Sequence, residues 1–193
     1  MSTIAEVVTQ ERYKKGFTYA EYLVQAGQFQ EELKKVEKIF TLSAGDVEFY
    51  QKNTRKLRTL KALALVEDHS PDVWLALPIL NQIAAVTGME VRIFRRDQNL
   101  DIMNLYLNQG KFQSIPMFAF FDKDLRPLGH WIERPAGAHK LVTAWRAEFE
   151  ANKLSKEDSR AEMRRRRAPH IPEWCVEAAQ ELRGLISQIA AKV

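Results

Sequence analysis

Leu60-Lys-Ala-Leu-Ala-Leu-Val-Glu67, followed at once by Asp68-His-Ser-Pro-Asp72, is the stretch on which the reading of this chain turns. The first part is a short apolar run and reads as a buried strand. The second part is a helix start. Ser70 suits the N-cap, Pro71 suits the first helical position, and Asp72 complements the positive end of the helix dipole. The helix that follows carries Trp74, Leu77, Leu80, Ile83 and Val86 at three-residue spacing and stops at Gly88. Met89-Glu-Val-Arg-Ile-Phe-Arg95 then alternates sides and reads as a second strand. A strand–helix–strand crossover of this kind requires the two strands to be parallel.

Working downstream, a helix is expected over Leu100–Leu107 with Gly110 as its stop. Ser114-Ile-Pro116 opens the apolar strand Met117–Phe121, Asp122–Arg126 reads as a turn, and Pro127–Glu133 as the returning strand. The sum is an α/β fold with a mixed four-stranded sheet in the order β-α-β-α-β-β.

Helical extensions flank this core on both sides. Residues 1–59 place Tyr19, Leu23 and Ala26, then Phe29, Leu33, Val36 and Phe40, at helical spacing; Asp46 is expected to cap a further helix through Val47, Tyr50 and Leu57. Residues 136–193 read as one helix from about Ala138 to Arg166 and another from Pro172 to Lys192. In the latter, Val176, Ala179, Leu182, Leu185, Ile186 and Ile189 are read as one apolar stripe. With no flexible linker between the parts, residues 1–193 read as a single domain with its core at 60–135.

The composition excludes several function classes. The 193 residues are 46% hydrophobic and 28% charged, as in an ordinary soluble globular protein. Met1–Glu11 lacks the basic start and apolar stretch of a secretory signal, and the uncharged run Val73–Met89 is interrupted by Pro78, Asn81, Gln82, Thr87 and Gly88. No membrane association is expected, and a cytoplasmic location is. A single cysteine, Cys175, closes no intrachain disulfide and runs no dithiol cycle. The four histidines lie far apart, without zinc spacing, and no phosphate loop, nucleophile elbow or metalloprotease helix is present. Neither a metal nor a cofactor is expected.

Leu60–Pro135, roughly two-fifths of the chain, resembles the thioredoxin-like superfamily. The resemblance is strongest to bacterial thioredoxin-family proteins that have a long helical N-terminus and a strand-end glutamate before the active-site motif. Their Glu-x-Trp-Cys-x-Asp, Arg-Asp-x-Asn and Ser-Ile-Pro segments correspond here to Glu67-Asp-His-Ser-Pro-Asp72, Arg96-Asp-Gln-Asn99 and Ser114-Ile-Pro116. Pro78, eight residues after Ser70, falls where the family has its kinking proline. The resemblance also implies a cis Ile115–Pro116 peptide and a preceding backbone that offers hydrogen bonds to an extended peptide.

The departure from the family decides the chemistry. Ser70 and Val73 stand at the C-x-x-C positions, so this motif is degenerate. A serine hydroxyl lies far above a thiol in pKa, and a helix dipole worth about 0.3–1 kcal/mol does not close the gap. Val73 cannot resolve a mixed disulfide. The leading expectation is therefore a redox-inactive interaction module that binds a protein or peptide partner through the old active-site rim: His69, Ser70, Pro71, Asp72, Trp74, Ser114, Ile115 and Pro116, with Phe112 as a further apolar wall. The alternative is an enzyme using the thiol of Cys175, or a thiol ligand such as glutathione held at Ser70.

Other features have plainer readings. Ser70-Pro71-Asp72 is a good helix start whatever else it does. Asp68 and His69 are adjacent and lack a third ligand, which argues against acid–base or metal chemistry. Cys175 lies in an amphipathic helix and reads as a small buried hydrophobe. Lys153–Arg167 carries seven bases and three acids and so accounts for the whole formal net charge of +4. Arg164, Arg165, Arg166 and Arg167 read as a solvated helix end, with a nucleic acid or acidic partner as the alternative. The sequence leaves open whether the terminal helices also join copies of the chain.

Overall fold

A computed structural model describes residues 3–192. Its centre is the strand β1 (Lys61–Val66), in which every residue after Lys61 is buried. Such burial requires neighbours on both edges, and β1 has them. It pairs in parallel with β2 (Glu90–Arg95) and antiparallel with β3 (Met117–Phe121). β3 pairs in turn with β4 (Pro127–Ile132), giving a sheet ordered β2-β1-β3-β4. The mixed four-stranded sheet and the crossover read from the sequence are both present.

The crossover helix α6 (Pro71–Thr87) is apolar around most of its circumference because it is covered on most sides. The helices α4 (Gln30–Ile39) and α5 (Ala44–Leu57) of the N-terminal extension and α10 (Ile171–Ala190) of the C-terminal one all pack on it. Gly88 ends α6 in the left-handed conformation (φ 72°) and donates its N–H to Ala84 O.

The N-terminal extension is stitched to the sheet as well as packed on the helix. The three short helices α1 (Ile4–Val7), α2 (Gln10–Lys14) and α3 (Tyr19–Gln25) lead up to α4. Between α2 and α3, Phe17 exchanges two 2.8 Å hydrogen bonds with Ile93 and so pairs with the outer edge of β2. That covers donors and acceptors an edge strand otherwise exposes. The approach requires Gly16, where a Cβ would stand 2.5 Å from the Phe94 ring and 2.9 Å from Arg92 Cβ. Tyr13 is fully buried and its hydroxyl donates to backbone oxygens of both β1 and β2, Ala62 O and Glu90 O.

Four local expectations need correction. The helix expected over Leu100–Leu107 is one short turn, α7 (Leu100–Met103). Beyond it the chain turns back on itself, with Gln109 and Gly110 at positive φ and Asn108 bridged to Phe112, while Tyr106 packs edge-on against His130. The long helix expected from Ala138 to Arg166 is two, α8 (Ala136–Ala151) and α9 (Lys156–Arg167). Lys153 breaks it at φ 53° and Ser155 restarts it by accepting from Asp158 N. Asp46 does not cap α5; Ser43 does, and Asp46 stands at the third helical position. Val176 is exposed, since it lies about 120° around the helix from Leu182. The buried face of α10 uses Cys175 and Ala178 with Ala179, Leu182, Ile186 and Ile189 instead.

Candidate functional site

β1 runs out just before the first turn of α6, and that junction carries His69, Ser70, Pro71 and Asp72. Ser70 holds the extended backbone of an N-cap residue (φ −88°, ψ 117°), yet its hydroxyl accepts no bond from the helix, contrary to the capping role expected of it. It is buried, as is Val73. A fully buried valine contributes roughly 1.5–3 kcal/mol of hydrophobic stabilisation. His69 and Pro71 on either side of Ser70 are exposed.

Asp72 is not a solvated dipole partner. It is buried, and two guanidinium groups converge on it: Arg167 Nη2 donates to Oδ1 at 2.7 Å and Arg134 Nη2 lies 2.8 Å from Oδ2. Arg134 also contacts Glu133. Burial pushes the Arg134 guanidinium below its ordinary range, against the opposing pull of Asp72 and Glu133. Arg167 lies over the Trp174 ring, 5.4 Å from its centre, and Trp174 stacks on His170. This overturns the reading of Arg167 as part of a solvated helix end. Arg165 pairs with Glu162, and Arg166 with Glu148 and Glu162; among the described residues only Arg164 of the four makes no ion pair.

The same network reaches the loop before Pro116. Glu133, at φ 73° just after β4, donates its N–H to Pro116 O. Asn108 Nδ2 donates both to Glu133 Oε2 (3.0 Å) and to Ser114 Oγ (3.3 Å). Side-chain contacts therefore run from Ser114 through Asn108, Glu133 and Arg134 to Asp72 and Arg167. Two rim residues, Asp72 and Ser114, are linked by three that the sequence does not single out, Asn108, Glu133 and Arg134. Arg167, the last of the arginine run, joins them at Asp72.

A second set of bonds joins the three motif segments. Glu67 is buried and its Oε1 accepts the N–H of Asp97, which fixes the end of β1 against the Arg96–Asn99 turn. Arg96 donates to Gln113 O, just before Ser114. Asp68 pairs with Arg95 at 2.5 Å, and its backbone oxygen accepts from Trp74 Nε1 at 2.6 Å. Trp74 is not an open wall: Phe29 of the N-terminal extension stacks on it, 5.7 Å between ring centres. Phe112 is open, with 57% of its surface exposed.

The Ile115–Pro116 peptide is cis. The Ile115 side chain is buried, whereas its backbone N–H and C=O make no hydrogen bond among the described residues. Cys175 is fully buried and its thiol is pushed up to about 12 by desolvation. It is protonated at neutral pH. Among the described residues, no helix is long and apolar enough to cross a membrane.

These features sit on a frame found in other proteins. A crystal structure of a protein of unknown function from Pseudomonas aeruginosa matches 97% of this chain and 98% of its own, at 17% identity and a TM-score of 0.60. An HIV epitope-scaffold matches 92% of this chain and 96% of its own, at 19% identity and a TM-score of 0.63. Likeness at this level shows a shared fold. No curated protein matches the chain. The family model described as thioredoxin matches residues 16–146, more than half of the chain and the whole of the sheet. The chain belongs to the thioredoxin family.

Proposed function

We propose that this protein is a redox-inactive thioredoxin-fold module that binds an extended segment of a protein partner at the former active-site rim. The observation that carries the reading is the state of Ile115. The residue is buried, its neighbour Ser114 is held by Asn108, and its backbone donor and acceptor are unused among the described residues. A strand-like peptide laid beside it satisfies both groups, which is recognition by strand addition. Of the other rim residues Phe112, His69 and Pro71 are exposed, while Ser70, Asp72 and Pro116 are buried.

Cys175 argues against thiol chemistry, because a fully buried thiol raised to about 12 offers no thiolate. Buried Ser70 likewise offers little to a thiol ligand such as glutathione.

Panning a random peptide library on the purified chain tests the rim. Enriched peptides are expected to bind about tenfold more weakly to Phe112→Glu or Ser114→Lys and equally well to Cys175→Ala. Peptides that bind both rim variants as well as the parent overturn the reading.

A further inference from the structure

The helix α9 uses its cations in two ways. Arg165, Arg166 and Arg167 are held by carboxylates of the chain itself. Lys156, Arg160 and Arg164 are exposed and make no ion pair among the described residues. A spacing of four puts these three on one helix face, rising about 6 Å per step. Within α9, Glu157 is the one acid bordering that face. Helical periodicity places Arg167 on it as well, so the stripe runs toward the buried contact with Asp72.

We propose that this stripe docks an acidic segment of a protein partner. Carboxylates repeated every fourth residue on a helix present the same spacing of about 6 Å, so each cation meets one of them. Nucleic acid fits less well: α9 contains no aromatic residue on which a base could stack. The three exposed cations that carry it, Lys156, Arg160 and Arg164, are not among the rim residues.

Fluorescence anisotropy with an alanine-based helical peptide carrying glutamate at every fourth position tests the proposal. Binding is expected at low salt, weakening as salt rises. Lys156→Gln/Arg160→Gln/Arg164→Gln is expected to weaken it about tenfold, the combined worth of three exposed ion pairs. Lys52→Gln/Arg55→Gln/Arg58→Gln, which removes equal charge from exposed positions of α5 and its C-cap, is expected to leave it unchanged. Glutamine matches lysine and arginine in helix propensity, so both variants keep their helices, and circular dichroism checks this. Absence of binding, equal weakening by the two variants, or tighter binding of an oligothymidine of equal charge overturns the proposal.

Discussion

Asp72 Oδ1 accepts a 2.7 Å hydrogen bond from Arg167 Nη2, joining the first turn of α6 to the last residue of α9 across 95 positions of sequence. Both residues are buried. The first turn of α6 serves as an anchorage for the C-terminal helices. Arg134 completes the anchorage from the end of β4. Two carboxylates, Asp72 and Glu133, thus meet two guanidiniums, which is the balance buried charge requires.

Removing one partner should reveal that balance. Arg167→Ala leaves Asp72 buried with a single guanidinium and is expected to cost about 3 kcal/mol, read as a lower urea midpoint. Asp72→Asn combined with Arg167→Met should cost less than the sum of the two single changes, because the orphaned charge is gone. Additive costs would mean the two side chains do not act as a pair.

Capping of α8 comes from another helix. Pro135 at its N-cap offers no side-chain bond, and the N–H groups of Ala136 and Gly137 donate instead to Glu181 and Glu177 of α10. Glu181 also accepts from Trp131 Nε1 at 2.7 Å. Glu181→Leu is expected to cost about 1–3 kcal/mol, since it leaves the part-buried Trp131 Nε1 donor without a partner. A midpoint unchanged from the parent would contradict this assignment.

Little of this site was legible in the sequence, although most of the fold was. β3 spans the Met117–Phe121 read from its apolar run, and the parallel β1–β2 pair follows from the crossover rule. The helix of residues 138–166 was misread because Ser155-Lys-Glu-Asp158 is a cap hidden in a charge-rich segment with no glycine or proline to punctuate it. Arg167 was misread for a different reason. Periodicity reports that a residue is charged, and only the tertiary fold reports that a carboxylate 95 residues away has come within reach. Ser114 and Asp72 were named as separate rim residues; their link runs through Asn108 and Glu133, which have no motif of their own.

Alkaline pH should unfold the chain. Burial raises all five tyrosines above the ordinary phenol value, Tyr106 to about 12, and the Cys175 thiol also to about 12. A raised folded-state value means the native chain holds protons that the unfolded chain releases. Stability is therefore intact below the unfolded values of about 8.5 for cysteine and about 10 for tyrosine, and falls as pH climbs toward 12. Phenolate absorbance is expected to appear together with loss of helical signal. Reversible phenolate titration near pH 10 in a chain that stays folded would contradict it.

Gly16 is expected to tolerate no side chain. Gly16→Ala drives a methyl group against Phe94 and Arg92 and should cost about 1–3 kcal/mol by overpacking. Hydrogen exchange at Phe17 and Ile93 should accelerate with it, because their paired bonds depend on the same close approach. Slow exchange in the variant would show that the stitch survives without Gly16.

Turnover of a model protein disulfide with dithiothreitol as reductant tests the central claim most directly, comparing the parent chain with Cys175→Ala. A redox-inactive module predicts that neither exceeds the protein-free rate. Turnover by the parent that disappears in Cys175→Ala would contradict the account and place the chemistry in α10.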